Sequence, residues 1–150
     1  MKFTCTVEIE KPVDDVVRLF DSVENMKEWQ DGFVSYEHLS GTPGEPGAKA
    51  RLIYKAGKRE MELIETITVK NLPQEFSGTY EHKHMVNTIK NSFTPLGPNK
   101  TRYDAELEYT KFVGFVPKMM ALFMPGMFRK QTQKWLDQFR DFAERESKND

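Results

Sequence analysis

The fold is decided by residues 59–112, which read REMELIETITVKNLPQEFSGTYEHKHMVNTIKNSFTPLGPNKTRYDAELEYTKF. Runs of alternating polarity are separated there by short stretches rich in Gly, Pro and Asn, and this pattern predicts strands at residues 59–71, 76–84, 86–96 and 101–112. The connections are too short to cross over a sheet, so each strand is expected to run antiparallel to the one before it.

The N-terminal residues predict one strand and two short helices. Residues 2–10 alternate polar and apolar side chains, as a strand with one wet face does. Pro12 suits the first turn of a helix, where no amide partner is needed. The apolar stripe of this helix is Val13, Val16, Val17 and Phe20. Asp21 or Ser22 is expected to cap a second helix, which ends near Trp29 and buries Val23, Met26 and Trp29.

The remaining elements complete an α+β fold. Strands at 33–39 and 48–56 flank the loop 41–47, and the chain closes with an apolar run, 112–128, that leads into an amphipathic helix. Pro125 and Gly126 predict a break near Met124. The expected order is β-α-α-β6-α, in which a curled seven-stranded antiparallel sheet wraps around a long C-terminal helix. The apolar stripe of that helix is Trp135 or Leu136, Phe139, Phe142 and Ala143.

Composition narrows the class of protein. A length of 150 residues predicts a single domain over 1–150, and 22 basic against 23 acidic residues give a net charge of -1, which argues against nucleic acid as a partner. Cys5 is the only cysteine and the start of the chain is not an apolar leader, so we expect a cytoplasmic protein without disulfides. We also expect a monomer or weak dimer. No cofactor is expected, because the chain has no nucleotide or phosphate motif.

The run 112–128 raises the question of a membrane. It is barely long enough to span a bilayer and is interrupted by Pro117, Lys118 and Pro125, so no membrane span is expected. A transient contact with a membrane surface is an alternative to packing in the core.

The element order and three motifs resemble a known superfamily. The motifs are Trp29-Gln30-Asp31-Gly32-Phe33, Leu72-Pro73-Gln74-Glu75-Phe76 and Met124-Pro125-Gly126-Met127-Phe128-Arg129-Lys130-Gln131. Over its whole length the chain is similar to the SRPBCC, or START-like, helix-grip superfamily of polyketide cyclases and lipid-transfer proteins, and in particular to an uncharacterised bacterial branch. The resemblance implies a cavity between sheet and C-terminal helix that binds a hydrophobic molecule such as a lipid or polyketide.

Strand parity predicts the lining of this cavity. The concave face is expected to carry Phe76, Gly78, Tyr80, His82 and His84, then Met85, Asn87, Ile89, Asn91 and Phe93, then Tyr103, Ala105, Leu107 and Tyr109. A buried amide without a partner costs about 1–3 kcal/mol, so Asn87 and Asn91 should each meet a cross-strand partner, Tyr80 or Tyr109, or else a water or a ligand.

The apolar run 112–128 has two interpretations. In the first, Met119, Phe123 and Met127 pack against the sheet as core residues. In the second, Phe115, Met120, Phe123, Met124 and Phe128 form a wall or gate that bends at Pro125. The predicted ligand-binding residues are Trp29, Tyr80, His82, Asn87, Asn91, Tyr109, Met120, Phe123, Met124 and Phe128.

Catalytic candidates are few. Glu65 faces inward if the alternation of its strand holds, and burial would then raise its pKa and suit it to proton transfer; the alternative is a bulge or a wet rim position. His82 is the second candidate. His82 and His84 share a predicted strand face, but two imidazoles without a third ligand do not predict a metal site.

Three functions therefore remain open. The first is binding, with transport as an extension, of a hydrophobic or amphipathic small molecule. The second is a metal-free cyclase or dehydratase that uses Glu65 or His82 for proton transfer. The third is a protein-interaction module.

Overall fold

A seven-stranded antiparallel sheet is the frame of the molecule, whose computed structural model describes residues 1–146. The strands are β1 (Lys2–Ile9), β2 (Phe33–Ser40), β3 (Lys49–Ala56), β4 (Arg59–Asn71), β5 (Glu75–His82), β6 (Met85–Gly97) and β7 (Lys100–Phe112). Their spatial order is β1-β7-β6-β5-β4-β3-β2. This order confirms the predicted meander, with β1 added beside its last strand.

Four helices accompany the sheet within the described range. They are α1 (Val13–Phe20), α2 (Met26–Trp29), α3 (Phe115–Phe123) and α4 (Gly126–Arg145). The predicted break near Met124 is confirmed, because α3 ends just before it and α4 begins two residues after it. No helix in residues 1–146 combines the length and apolar character needed to span a bilayer.

The curl of the sheet comes from long strands and bulges. Strands β4, β6 and β7 each have 13 residues. Register shifts interrupt the β4–β5 pairing between Ile67 and Val69 and the β6–β7 pairing between Val86 and Asn87. A bulge bends its strand and increases the local twist, so these two positions help to make one face of the sheet concave.

Helix α4 closes one side of the concave face. Arg129 and Gln133 donate hydrogen bonds to the carbonyl oxygens of Thr4 and Thr6, on the edge of β1 that has no partner strand. These contacts satisfy part of an edge that would otherwise be open for pairing with another chain. As predicted, the helix buries Leu136, Phe139, Phe142 and Ala143.

An aromatic cluster around Phe139 forms the centre of the core. Phe139 is fully buried, and its ring centroid lies 5.1 Å from that of Trp29, 5.7 Å from Tyr103 and 6.0 Å from Phe20. Rings at such separations and steep angles gain energy beyond the area they bury. This cluster therefore joins α1, α2 and α4 to β7.

Two predictions about helices are wrong. The second helix ends at Trp29 and buries that residue as predicted, but its start is wrong: a 3-10 turn, Val23–Asn25, precedes the four-residue α2, no side-chain cap bond is made there, and Val23 is exposed. Met119, Phe123 and Met127 do not pack in the core: all three are exposed, Phe123 to 67%. Helix α3 contributes no buried side chain, so α4 covers this part of the sheet and α3 does not.

Candidate functional site

A row of four polar side chains crosses the concave face. Glu65 on β4 pairs with Tyr80 on β5, Tyr80 pairs with Asn87 on β6, and Asn87 pairs with Tyr109 on β7. Residues paired across neighbouring strands lie side by side on the same face of a sheet. The parity prediction for Tyr80, Asn87 and Tyr109 is confirmed, and Glu65 joins them.

Glu65 is a buried carboxylic acid in contact with a tyrosine. It is 9% exposed, and the Tyr80 hydroxyl donates a hydrogen bond of 2.8 Å to its Oε2 atom. Burial raises the pKa of Glu65, and the Tyr80 hydrogen bond partly opposes this shift because it stabilises the carboxylate. The side chain is thus held inside the sheet, and the register shift expected as the alternative lies further along β4.

Gly78 makes room for the Tyr80 ring. A Cβ atom at Gly78 would lie 3.3 Å from the Tyr80 ring and 3.2 Å from the Thr66 carbonyl oxygen. Such distances are tighter than ordinary van der Waals contact. The missing side chain therefore lets Tyr80 lie back over β5 toward Glu65.

Further aromatic residues surround Glu65. Burial, and secondarily the charge of Glu65, raises the pKa values of Tyr36 and Tyr54. The Tyr54 hydroxyl donates to Gln30 Oε1 at 2.6 Å, and the Trp135 ring stacks on Tyr54 at 5.3 Å. Sequence reasoning missed Tyr36 and Tyr54, and treated Trp135 only as part of an apolar stripe.

Trp135 has an unused donor. Its Nε1 atom is buried and has no hydrogen-bond partner among residues 1–146. A buried indole N–H usually finds an acceptor, so this atom has capacity left for another group. The signal in the sequence was a Trp at a core position where Leu or Phe would leave no donor to satisfy.

Two asparagines on one face of β6 have opposite environments. Asn91 donates to the Phe76 carbonyl oxygen at 3.2 Å and accepts a hydrogen bond of 2.7 Å from the Tyr103 hydroxyl. Its predicted partners, Tyr80 and Tyr109, are wrong, because the register places Tyr103 nearer. Asn87 is 8% exposed, and its side chain makes no hydrogen bond within residues 1–146.

These differences divide the concave face into two ends. The closed end contains Asn91, Tyr103 and Phe139, whose side chains are buried and satisfied or tightly packed. The open end contains Glu65, Tyr80, Asn87, Tyr109 and Trp135, together with partly exposed apolar side chains. Those apolar side chains are Leu63, Met85, Ile89 and Phe112.

Phe128 connects α4 to the open end. Its ring centroid lies 4.8 Å from that of Tyr109 and 6.0 Å from that of Phe112. Burial raises the pKa of Tyr109 to about 12. Of the other predicted ligand-binding residues on this segment, Met120 is partly buried, whereas Phe123 and Met124 are exposed. The structure therefore brings Phe128 to the row, but neither Phe123 nor Met124.

Trp29 lies at the closed end and not beside the row. It belongs to the aromatic core, and its buried Nε1 atom has no hydrogen-bond partner among residues 1–146. Trp29 and Gln138 line a surface cleft of about 290 Å³ between α2 and α4, and a second cleft of about 280 Å³ crosses Thr88 and Lys90. Neither cleft includes Glu65 or Tyr80, and neither matches the cavity that the resemblance implies.

The histidines do not share a strand face as predicted. His82 ends β5, whereas His84 lies in the following turn, and the backbone N–H of His84 donates to His82 Nδ1 at 3.1 Å. Burial lowers the pKa of His82, with smaller contributions from His84 and Lys83. Local hydrogen bonding at the strand end, and not the concave face, therefore accounts for the closeness of the two rings.

Cys5 is buried in the core. Its thiol lies 3.7 Å from the Arg129 carbonyl oxygen, and burial is the main cause that raises its pKa. A thiol with a raised pKa holds less of the reactive thiolate at neutral pH. Burial and the raised pKa thus favour an inert Cys5 thiol.

Solved structures share this fold at low sequence identity. The Zhui aromatase/cyclase from Streptomyces sp. R1128 aligns with a TM-score of 0.81 and 11% identity over 97% of this chain and 94% of that chain. A START superfamily protein from Mycobacterium smegmatis aligns with a TM-score of 0.71 and 17% identity over 90% of this chain and 93% of that chain. Ginseng major latex-like protein 151 from Panax ginseng aligns with a TM-score of 0.73 and 12% identity over 95% of this chain and 97% of that chain.

The family is established by sequence. The family model described as polyketide cyclase / dehydrase and lipid transport matches residues 1–144. No curated protein matches the sequence. The chain belongs to the polyketide cyclase/dehydrase and lipid transport family.

Proposed function

We propose that this member of the polyketide cyclase/dehydrase and lipid transport family binds a hydrophobic or amphipathic small molecule at the open end of its concave face. One observation carries the proposal. Asn87 is a nearly buried amide without a hydrogen-bond partner in residues 1–146, and it lies in register with Tyr80 and Tyr109. The amide atoms of Asn87 are not among the fully buried unpartnered atoms, so they still reach solvent, and a ligand with a polar group can replace that water in their hydrogen bonds.

The surrounding side chains fit such a ligand. Leu63, Met85, Ile89 and Phe112 are partly exposed apolar residues around the row. Apolar walls supply most of the affinity in small-molecule sites, while a few polar groups fix the orientation. The indole N–H of Trp135 and the carboxyl group of Glu65 add one donor and one acceptor to that set.

Native mass spectrometry of the purified protein tests whether a ligand is present. We expect a mass adduct that disappears on denaturation, and extraction with organic solvent should yield an apolar compound. If the protein carries no adduct and does not bind the apolar dye 1-anilinonaphthalene-8-sulfonate saturably, the proposal is wrong.

Variants test where the dye or the extracted compound binds. Asn87→Ala combined with Tyr80→Phe should weaken binding about 30-fold, since each change removes a polar group whose contact is worth on the order of 1 kcal/mol. Thr88→Ala is the matched control, because Thr88 is the next residue on β6 and faces the other side of the sheet. Equal affinities for the double variant and the control would place the ligand elsewhere.

A second candidate function is proton-transfer catalysis of the cyclase or dehydratase kind. It is favoured by one observation, namely that Glu65 combines burial, a raised pKa and a direct hydrogen bond to Tyr80. A raised pKa brings a carboxyl group closer to neutral pH, where it can both accept and return a proton. His82, the other candidate, ends its strand and bonds locally.

The two functions are separated by an activity assay. A poly-β-ketone thioester analogue is incubated with the protein, and cyclised or dehydrated products are measured by liquid chromatography and mass spectrometry. Glu65→Gln should abolish product formation, whereas Glu60→Gln, on the exposed side of β4, should not. If the wild-type protein forms no product but still binds the dye, the binding proposal is supported and the catalytic proposal is wrong.

The proposal includes an assembly state and a location. A monomer or weak dimer in the cytoplasm suits a small carrier or cyclase-like protein. Light scattering after size exclusion and fractionation of cells test these two points directly, and a stable higher oligomer would contradict the first.

A further inference from the structure

Helix α3 turns its most apolar face away from the fold. The side chains at positions i, i+1, i+4, i+7 and i+8 share one face of a helix. In α3 these positions are held by residues with high exposure, namely Phe115 75%, Val116 63%, Met119 37%, Leu122 70% and Phe123 67%. The opposite side, with Pro117, Met120 and Ala121, is partly buried. The amphipathic pattern is therefore inverted relative to a helix that packs on a core.

The exposed face continues beyond the helix. Val113, Met124 and Met127 are also exposed, and they flank α3 on both sides. Large contiguous apolar patches are uncommon on monomeric soluble domains and mark interaction sites. We call the surface formed by residues 113–127 the α3 face.

Charge identifies the kind of partner. Residues 109–136 contain five basic side chains, Lys111, Lys118, Arg129, Lys130 and Lys134, and no acidic one, although the whole chain has a net charge of -1. Lys111, Lys118 and Lys130 are exposed and form no ion pair within residues 1–146. A second copy of the chain would bring like charges together, whereas an anionic surface would meet opposite charges.

We propose that the α3 face docks on the surface of an anionic lipid bilayer. The apolar side chains enter the boundary between headgroups and acyl chains, and Lys118 and Lys130 lie at the level of the lipid phosphates. With 9 residues α3 is about 13 Å long, so it lies along the interface and does not cross it. Phe128 continues from this face to Tyr109, so docking brings the open end of the concave face near the bilayer. The proposal does not depend on which ligand binds there.

Vesicle cosedimentation tests the docking. The wild-type protein is mixed with vesicles of phosphatidylcholine alone, or with phosphatidylglycerol as about one third of the lipid. We expect binding to the anionic vesicles, at least about tenfold weaker binding to the neutral ones, and loss of binding when NaCl rises from about 0.1 M to 0.5 M. No binding to anionic vesicles, or equal binding to both kinds, overturns the proposal.

Variants separate the α3 face from other surfaces. Leu122→Ser with Phe123→Ser should reduce binding at least about tenfold, and so should Lys118→Glu with Lys130→Glu. The matched control is Val34→Ser with Leu96→Ser, two exposed apolar residues on β2 and β6. Circular dichroism melting confirms that each variant is folded. Unchanged vesicle binding in the α3 variants, or equal loss in the control, overturns the proposal, as does concentration-dependent dimerisation that the serine variants abolish.

Discussion

The closed and open ends of the concave face are built from the same strands, yet their polar side chains differ in how far their hydrogen bonds are satisfied. At the closed end, Asn91 is joined to Tyr103 and lies beside the Phe139 cluster. At the open end, Asn87 and the Trp135 indole have no partner within the described residues, and Glu65 has one. Unused hydrogen-bonding capacity next to partly exposed apolar side chains marks a place for a ligand, whereas the unpartnered Trp29 Nε1 atom at the closed end lies within the packed aromatic core.

The largest effect should follow a change at the closed end. Phe139→Ala removes a fully buried ring that contacts Phe20, Trp29 and Tyr103. We expect a loss of about 3–5 kcal/mol in the free energy of unfolding, because the cavity left behind cannot collapse fully. Urea unfolding followed by tryptophan fluorescence measures it. A loss below about 1 kcal/mol would mean that the aromatic cluster does not hold the helices to the sheet.

The two asparagines give the next largest difference. Asn91→Ala leaves the buried Tyr103 hydroxyl without its acceptor and should cost about 1–3 kcal/mol of unfolding free energy. Asn87→Ala should change the same quantity by less than about 0.5 kcal/mol, because no hydrogen bond within residues 1–146 is lost. Similar losses for both variants in urea unfolding would remove the distinction between the two ends.

Glu65 gives a smaller effect that depends on pH. Its pKa is raised in the folded protein, so the folded state holds the proton more tightly than the unfolded state. The resulting stabilisation is complete below the ordinary pKa of 4.5 and is lost as pH rises through the raised value. Glu65→Gln stays neutral and keeps an acceptor for Tyr80, so it should be more stable than the wild type at neutral pH.

Thermal melting of the wild type and Glu65→Gln across the acidic to neutral pH range measures the stability gap between the two proteins. It should close as the pH falls below 4.5. A gap that is constant with pH would show that burial of Glu65 does not alter its proton affinity.

The smallest effect should come from α3. Leu122→Ser changes a side chain that is mostly exposed, so the free energy of unfolding should move by less than about 0.5 kcal/mol. Leu136→Ser, at a buried position of α4, is the control and should be strongly destabilising. A loss at Leu122 comparable to that at Leu136 would indicate that α3 packs against the fold in solution.

The sequence predicted the strands more accurately than the helices. The β4 bounds were predicted to the residue, and those of β5 to β7 within two residues, because alternation and turn residues are local properties. The burial of Met119, Phe123 and Met127 was predicted wrongly, because apolar character alone does not say which surface a segment meets. The His82 and His84 prediction failed because the strand ended earlier than its pattern indicated.

The candidate site was only partly visible in the sequence. Parity placed Tyr80, Asn87 and Tyr109 on one face, but it could not tell Asn87 from Asn91, since both occupy equivalent positions on β6. Tyr36, Tyr54 and Trp135 come from β2, β3 and α4, which local pattern cannot bring together. Their approach to Glu65 depends on how far the sheet curls.

By itself, then, the sequence determined the number of strands, their antiparallel order and the face on which the side chains within the strands lie. These follow from a period of two residues and from connections too short to cross the sheet. The tertiary structure decided which end of the concave face is filled, which asparagine is satisfied and which way α3 turns its apolar side. Those outcomes depend on bulges, on register between several strands and on the docking of α4 along β1, each of which involves residues far apart in the chain.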